Sequence, residues 1–305
     1  MDMDHLLADP SAARRVLASS GVPATTRPPS RGRLVLRWLA LGTTHTLAFC
    51  LGAGLTLAWA NNLFDFGVAP ATAEEEVTAP AQVSSVDYAL QLIRTAEERF
   101  AAIQDYECIF LRDEFIDGKM NQNHLYIKVR HEPFSVLMEW LGPAMKRGRK
   151  VAWVDGKNDG KMLVKQLITL RMDPQESIKK KESRHTIQET GIKNLITRYR
   201  TAWEREALLN LTTISVDDRE VRVSVGQREY AHNCVCVTAR HPAETRGQFN
   251  YYYIKLYFDK GTGLPMKTEV FDWPSPTHPD GQLIERYTYL DLKTNVGLSD
   301  SDFSF

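Results

Sequence analysis

Residues 125–165 read LYIKVRHEPFSVLMEWLGPAMKRGRKVAWVDGKNDGKMLVK, and their periodicity decides the fold. Leu125, Ile127 and Val129 alternate with Tyr126, Lys128 and Arg130. After the interruption at Pro133, Phe134, Val136, Met138 and Trp140 alternate with Ser135 and Glu139. A period of two is that of a pleated strand, with one row of side chains on each face. Asp155-Gly156 and Asp159-Gly160 supply turn residues that tolerate positive φ between Val151/Trp153 and Met162/Val164, which predicts a hairpin.

On the N-terminal side, Ser84 and Ser85 are candidate caps for a helix with Asp87 in its first turn. Val86, Ala89, Leu90, Ile93, Ala96, Phe100 and Ile103 share its apolar face. Asp105 to Phe115 then predicts a strand turning at Asp117-Gly118. On the C-terminal side, Met172 to Arg184 reads as a polar loop in which Lys179, Lys180 and Lys181 form a solvated charge run. Ile192, Leu195, Ile196, Tyr199 and Trp203 predict a second amphipathic helix over Gly191 to Leu208. From there the chain is strand: Val221, Val223 and Val225 alternate, then come Cys234 to Thr238, Phe249 to Phe258, Pro265 to Trp273 and Leu283 to Leu292. Within the Tyr-rich run, alternation puts Tyr251, Tyr253 and Tyr257 on one face and Tyr252, Ile254, Leu256 and Phe258 on the other. Consecutive strands at hairpin spacing, with two helices to cover them, predict an α+β fold: a curved antiparallel sheet with helices on one side.

The chain has 305 residues, 43% of them hydrophobic, with 38 basic and 38 acidic side chains. That balance gives no basic excess for nucleic acid. Residues 1–37 are rich in Ser, Ala and Pro, carry six arginines, and are expected to be a disordered tail. Residues 38–60, WLALGTTHTLAFCLGAGLTLAWA, contain no Asp, Glu, Lys or Arg. As a helix they cover roughly 35 Å, enough for a hydrocarbon core of about 30 Å. The arginines precede this span and Asp65, Glu74, Glu75 and Glu76 follow it, so the positive-inside rule puts the N-terminus in the cytoplasm and the domain outside. A cleaved signal peptide is the alternative, since Ala58-Trp59-Ala60 and Ala71-Thr72-Ala73 fit a small-x-small site, but the span exceeds an ordinary signal core. Residues 61–83 read as a linker, leaving 84–305 as the exported domain.

A helix, then strands, then a basic-Pro-aromatic strand pair (Arg130, Pro133, Phe134, with Trp140 and Pro143), then a strand ending Val154-Asp155-Gly156, resembles the LolA/LppX-like lipoprotein carriers of bacteria. Phe258-Asp259-Lys260-Gly261-Thr262-Gly263-Leu264-Pro265 and the terminal Leu298-Ser299-Asp300-Ser301-Asp302-Phe303 are similar to the end of that fold. KVRHEPFSV with GKNDGK resembles, more closely, a bacterial family of exported proteins of unknown function. The resemblance covers about residues 84–305. It implies an incomplete β-barrel (half-barrel) lidded by helices, whose apolar concave face shields acyl chains. This chain departs from the carriers in its membrane span and its polar loop near Lys180.

A strongly curved sheet leaves a concave face too wide for its own side chains, and apolar cavities suit lipid tails. The expected lining is Val136, Met138, Trp140, Val151 and Trp153 of the central strands, Tyr252, Ile254 and Leu256 of the Tyr-rich strand, and Phe100 and Trp203 of the helices. The alternative is that these rows form an ordinary core. Lys146, Arg147, Arg149 and Lys150 are candidate contacts for anionic headgroups, against the alternative of a solvated turn.

Catalytic readings fare worse. His131 and Glu132 are adjacent at a strand end and point to opposite faces, so they do not make an acid/base pair. Asp155 to Gln166 has Lys157 at the third position and Gln166 at the twelfth of a would-be calcium loop. Cys234 and Cys236 with His232 and His241 lack tetrahedral closure for zinc. Neither a G-x-S-x-G nor an H-E-x-x-H occurs. No cofactor, metal or catalytic residue is therefore expected; an unrecognised hydrolase would have to use His131 or Glu132. Cys108 pairing with Cys234 or Cys236 in an oxidising exterior is one expectation, plain burial the other. The expected partner is a lipid or acylated lipoprotein at the inner membrane. The alternative is an envelope sensor or assembly protein binding a protein through the same sheet.

Overall fold

The structure is a computed structural model that describes residues 71–305. The tail 1–37 and the span 38–60 lie outside the described residues. Among those described, no helix is long and apolar enough to cross a membrane.

The elements are β1 Thr72–Ser84, α1 Val86–Phe100, β2 Asp105–Ile116, β3 Lys119–His131, β4 Phe134–Gly142, β5 Lys150–Val154, β6 Met162–Lys165, β7 Thr169–Met172, α2 Glu176–Lys179, α3 Ile192–Leu209, β8 Thr213–Val225, β9 Arg228–Arg240, β10 Tyr253–Asp259, β11 Pro265–Phe271 and β12 Leu283–Thr294. All twelve strands belong to one antiparallel sheet in the order β1-β8-β9-β10-β11-β12-β2-β3-β4-β5-β6-β7, and the two end strands do not pair, so the sheet is open.

The central alternation appears in the register. Ile127 faces Met138 and Val129 faces Val136 across β3–β4, Met138 faces Val151 across β4–β5, and Val151 faces Val164 across β5–β6. Asp117 and Gly118 both adopt positive φ, at 51° and 80°, the geometry a two-residue hairpin needs to match strand twist. Helix α1 begins where Ser85 Oγ accepts from the Tyr88 N–H, and it buries Ala89, Leu90, Ile93, Ala96 and Phe100. Helix α3 buries Ile192, Leu195, Ile196, Tyr199 and Trp203, the row its periodicity predicts. Both helices share one core with the inner row of strands β2 to β6 and of β8 to β12.

The opposite face carries two smaller cores. Leu111, Val221, Val223, Cys234, Cys236, Tyr257, Met266 and Leu290 form one; Leu137, Ala152, Val154 and Phe303 form the other. Phe303 is held there by the C-terminal turn, where Asp302 accepts from Lys128 at 2.7 Å and Asp300 from Arg130 at 2.8 Å.

One expectation changes. The linker expected over 61–83 is, from Thr72 onward, strand β1, paired with β8 from Thr72↔Ser224 to Ser84↔Ile214. Its composition is that of a linker, but Glu75 accepts from Arg219 and Tyr257 and pairs with the buried Lys267. Burial alone would push the Glu75 carboxyl up; the Lys267 charge and these hydrogen bonds outweigh it and hold it below its ordinary value. Of the two cysteine expectations, burial is the one that holds: Cys108, Cys234 and Cys236 are buried free thiols, and no disulfide joins them. Cys108 packs on the helix-covered side and the other two on the opposite side of the sheet.

Candidate ligand-binding site

Of the ten expected lining residues, nine pack as core side chains under the helices, and of these Phe100 alone lines the cleft described below. Val136, Met138, Trp140, Val151, Trp153, Ile254, Leu256, Phe100 and Trp203 belong to the core beneath the helices. Their packing is tight, with Trp203, Ile254 and Leu256 fully buried. Tyr252 does not join them. Strand β10 starts at Tyr253, and before it the chain leaves the pleat, so the alternation that assigned Tyr252 fails one residue too early. Tyr252 packs outside, on Trp273 and beneath the Arg240 guanidinium. Tyr251 turns inward instead, donating to Glu206 at 2.8 Å.

At one end of the sheet this core opens. A cleft of about 290 Å³ lies between the C-terminal end of α1 and the first two turns of α3, lined by Glu97, Phe100, Ala101, Ile103, His131, Lys193, Ile196 and Thr197. That is near the lower limit for a ligand pocket. His131 packs on Phe100 with ring centroids 5.0 Å apart, and burial pushes its imidazole below the ordinary value, favouring the neutral ring. Glu132 is exposed to solvent.

At the other end of the same strands the inner row turns polar. Phe110, Arg112 and Glu114 follow one another on one face of β2, and Arg112 faces Asn123 on β3. Glu114 is fully buried and accepts from the Tyr287 hydroxyl at 2.7 Å and the Ser183 hydroxyl at 3.2 Å. Arg112 reaches the same Ser183 hydroxyl at 3.3 Å and lies 3.6 Å from Glu114. Next to them Glu285 accepts from Arg184 at 2.7 Å and sits 3.2 Å from His185. Burial works to raise the Glu285 pKa, but the His185 and Arg184 contacts win and pull it down to about 2. Sequence reasoning missed this cluster. Its one signal was the break in the apolar row of β2 at Arg112 and Glu114.

The four basic loop residues divide between two faces. Lys146 donates to Asn123 Oδ1 at 3.2 Å, and the Arg149 guanidinium stands 5.1 Å from the Trp140 ring, both on the helix-covered side. Burial pushes the Lys146 pKa down, and the positive charges of Arg112 and Arg149 add to this. Arg147 is exposed and donates to the Leu141 carbonyl at 3.2 Å; Lys150 pairs with Glu139 at 3.0 Å on the other side of the strand. A single four-cation patch therefore does not form. Lys179, Lys180 and Lys181 are exposed and paired with Glu176 and Asp117, a solvated face as the sequence suggests. Among the described residues no group of His, Cys, Asp and Glu is arranged to hold a metal ion.

No curated protein matches the chain in sequence. Among solved structures it is similar to the lipoprotein LppX of Mycobacterium tuberculosis, at 11% identity and a TM-score of 0.39, over 70% of this chain and 99% of that one. A LolA superfamily protein of Nitrosomonas europaea is similar at 10% identity and a TM-score of 0.30, over 70% of this chain and 96% of that one. MucB, solved in complex with MucA(peri), is similar at 16% identity and a TM-score of 0.33; the match covers 70% of this chain and 57% of MucB. The model of the family described as "Protein of unknown function (DUF1571)" matches residues 103–305, and the chain belongs to that family.

Proposed function

We propose that residues 72–305 form an incomplete antiparallel barrel, lidded by α1 and α3, that holds the acyl chains of a lipid or acylated lipoprotein without enzymatic turnover. The chain is anchored in the inner membrane by residues 38–60, with the tail 1–37 in the cytoplasm and the domain in the periplasm. The observation that carries the reading is the cleft between the two helices. It leads from solvent at Glu97 and Lys193, past Phe100 and Ile196, onto the core that contains the inner row of ten strands. Apolar surface of this kind binds chains by exclusion of water, and access to it requires α1 and α3, joined by the ion pairs Arg94–Glu204 and Arg200–Glu97, to part. Mass spectrometry of the full chain, released intact from the membranes that carry it, tests the proposal. Co-purifying acyl species support it, and a uniformly empty protein sinks it.

A second reading rests on a separate observation. Strand β7 is an edge strand, paired only with β6 among the described residues, and Leu170 on it and Leu167 and Ile168 before it are exposed. An exposed apolar edge is a template for strand addition by a protein partner. On that reading the domain is an envelope sensor or assembly protein, and replacing Leu170 by Pro removes partner capture while leaving the cleft untouched.

A further inference from the structure

The polar end of the covered face contains donors that nothing among the described residues accepts. Asn123 is fully buried, and its Oδ1 accepts from Trp140 Nε1 at 3.0 Å and from Lys146 Nζ at 3.2 Å. Indole N–H and ammonium groups can only donate, so the amide orientation is fixed by its partners. Its Nδ2 is thereby left buried with no acceptor among the described residues. Arg149 repeats the pattern. One of its terminal nitrogens donates to Glu182 at 2.8 Å, while its Nε is buried and unpartnered. The third cation, Arg112, is different, because its unpartnered Nε lies 3.6 Å from the unpartnered Oε2 of Glu114 and the two largely satisfy each other electrostatically.

These groups surround one side chain. The guanidinium carbons of Arg112 and Arg149 stand 5.9 Å and 5.1 Å from the Trp140 ring, and Lys146 shares Asn123 with the indole N–H. Three cations (Arg112, Lys146, Arg149) face two carboxylates (Glu114, Glu182), which leaves one positive charge unbalanced. A buried donor without an acceptor is costly, because it has given up its water and gained nothing in return. Two beside an excess cation are what a site for an oxyanion presents before it is filled.

The geometry points to an anion site at Asn123, Lys146 and Arg149 that takes the phosphate of a lipid headgroup while the acyl chains lie along the apolar row beyond Trp140. This rests on the proposed acyl-holding function and adds to it the headgroup class and the end of the sheet at which the head sits.

The test is calorimetric titration of the full chain with three probes: inorganic phosphate, short-chain phosphatidylglycerol, and a diacylglycerol with the same chains. Two variants accompany it. Asn123→Asp keeps the oxygen that Trp140 and Lys146 use but replaces the orphan donor with a second oxygen. Arg149→Gln removes one charge at the edge of the site. Thermal melting within a few degrees of the unmodified chain shows that each is folded.

The expected result is phosphatidylglycerol bound at least 10-fold more tightly than diacylglycerol, with Asn123→Asp abolishing that preference, Arg149→Gln reducing it, and diacylglycerol binding unchanged in both. Equal affinity for the two lipids, or a preference that survives Asn123→Asp, overturns the headgroup site while leaving the acyl-holding function standing. Binding of inorganic phosphate with neither lipid bound overturns the acyl-holding function and the lipid assignment together, leaving a free-phosphate site or an adventitious ion only.

Discussion

The hydroxyl of Tyr106, on the fully buried start of β2, accepts the backbone N–H of Ile192 at 2.9 Å and so fixes where α3 begins. The residue before that N–H, Gly191, has φ of 110°, and a Cβ placed on it would meet the Tyr106 hydroxyl at 2.8 Å. Gly191→Ala therefore both strains the backbone and displaces the phenol. The expected loss is about 2 kcal/mol of stability. Tyr106→Phe should cost about 1–2 kcal/mol by leaving the Ile192 N–H without its acceptor. Urea denaturation of the two single variants and the double measures both, and their effects should be less than additive because they act on one contact.

Glu285 makes stability depend on acid. Its folded pKa of about 2 lies below the unfolded carboxylate value, so its contribution is fully present above about pH 4.5 and is lost as pH falls toward 2. A shift of that size corresponds to stabilisation on the order of 3 kcal/mol at neutral pH. Glu285→Gln should be markedly less stable than the unmodified chain at pH 7, and the gap should narrow progressively between pH 4.5 and pH 3. A gap that stays constant over that range would show that the Arg184 and His185 contacts do not stabilise the folded carboxylate.

Strand β1 should respond to its charges more than to its side-chain packing. The Lys267 ammonium is almost completely buried and is shared between Glu75 on β1 and Glu269 on its own strand. Removing one partner of a buried pair costs about 3–5 kcal/mol when no other remains. With Glu269 still present, Glu75→Ala should cost less, about 2 kcal/mol. Hydrogen exchange should show faster loss of protection over Thr72–Val77 in that variant than over β10 and β11.

Much of this architecture was legible in residue periodicity. The row Leu125, Ile127, Val129 and its partners Val136 and Met138 pack as their alternation requires, and both helices bury the faces that their spacing marks. Strand β1 was hidden because Glu74, Glu75, Glu76 and Pro80 are linker residues by local chemistry. Its state is decided by Lys267, Arg219 and Tyr257, nearly 150 to 200 positions away in sequence. Tyr252 was misplaced for a related reason, since alternation was extended into residues where the strand has not begun. The polar end of the site was overlooked because Arg112, Glu114 and Asn123 occupy inward positions of strands, and the break in the apolar row of β2 is their one trace in the sequence. Of the basic loop, Lys146 and Arg149 were legible as cations but not as inward-facing ones.

The thiols should be silent in the folded domain. Burial is the first cause in all three: it pushes Cys234 and Cys236 up to about 12 and holds Cys108 well above the ordinary thiol value. Peptide mapping after iodoacetamide treatment at pH 8 should find Cys108, Cys234 and Cys236 unmodified in the native protein and fully modified in urea. Rapid native labelling of Cys234 would show that the core beneath β1 opens readily.

Photo-crosslinking reads out whether acyl chains lie between α1 and α3. The full chain in its own membranes is exposed to a phospholipid carrying a diazirine near the chain terminus, irradiated and mapped by mass spectrometry. Adducts are expected on peptides that contain Phe100, Ile103 and Ile196, reduced at least 10-fold by Phe100→Asp. Adducts confined to the span 38–60, with the cleft peptides unlabelled, would contradict it.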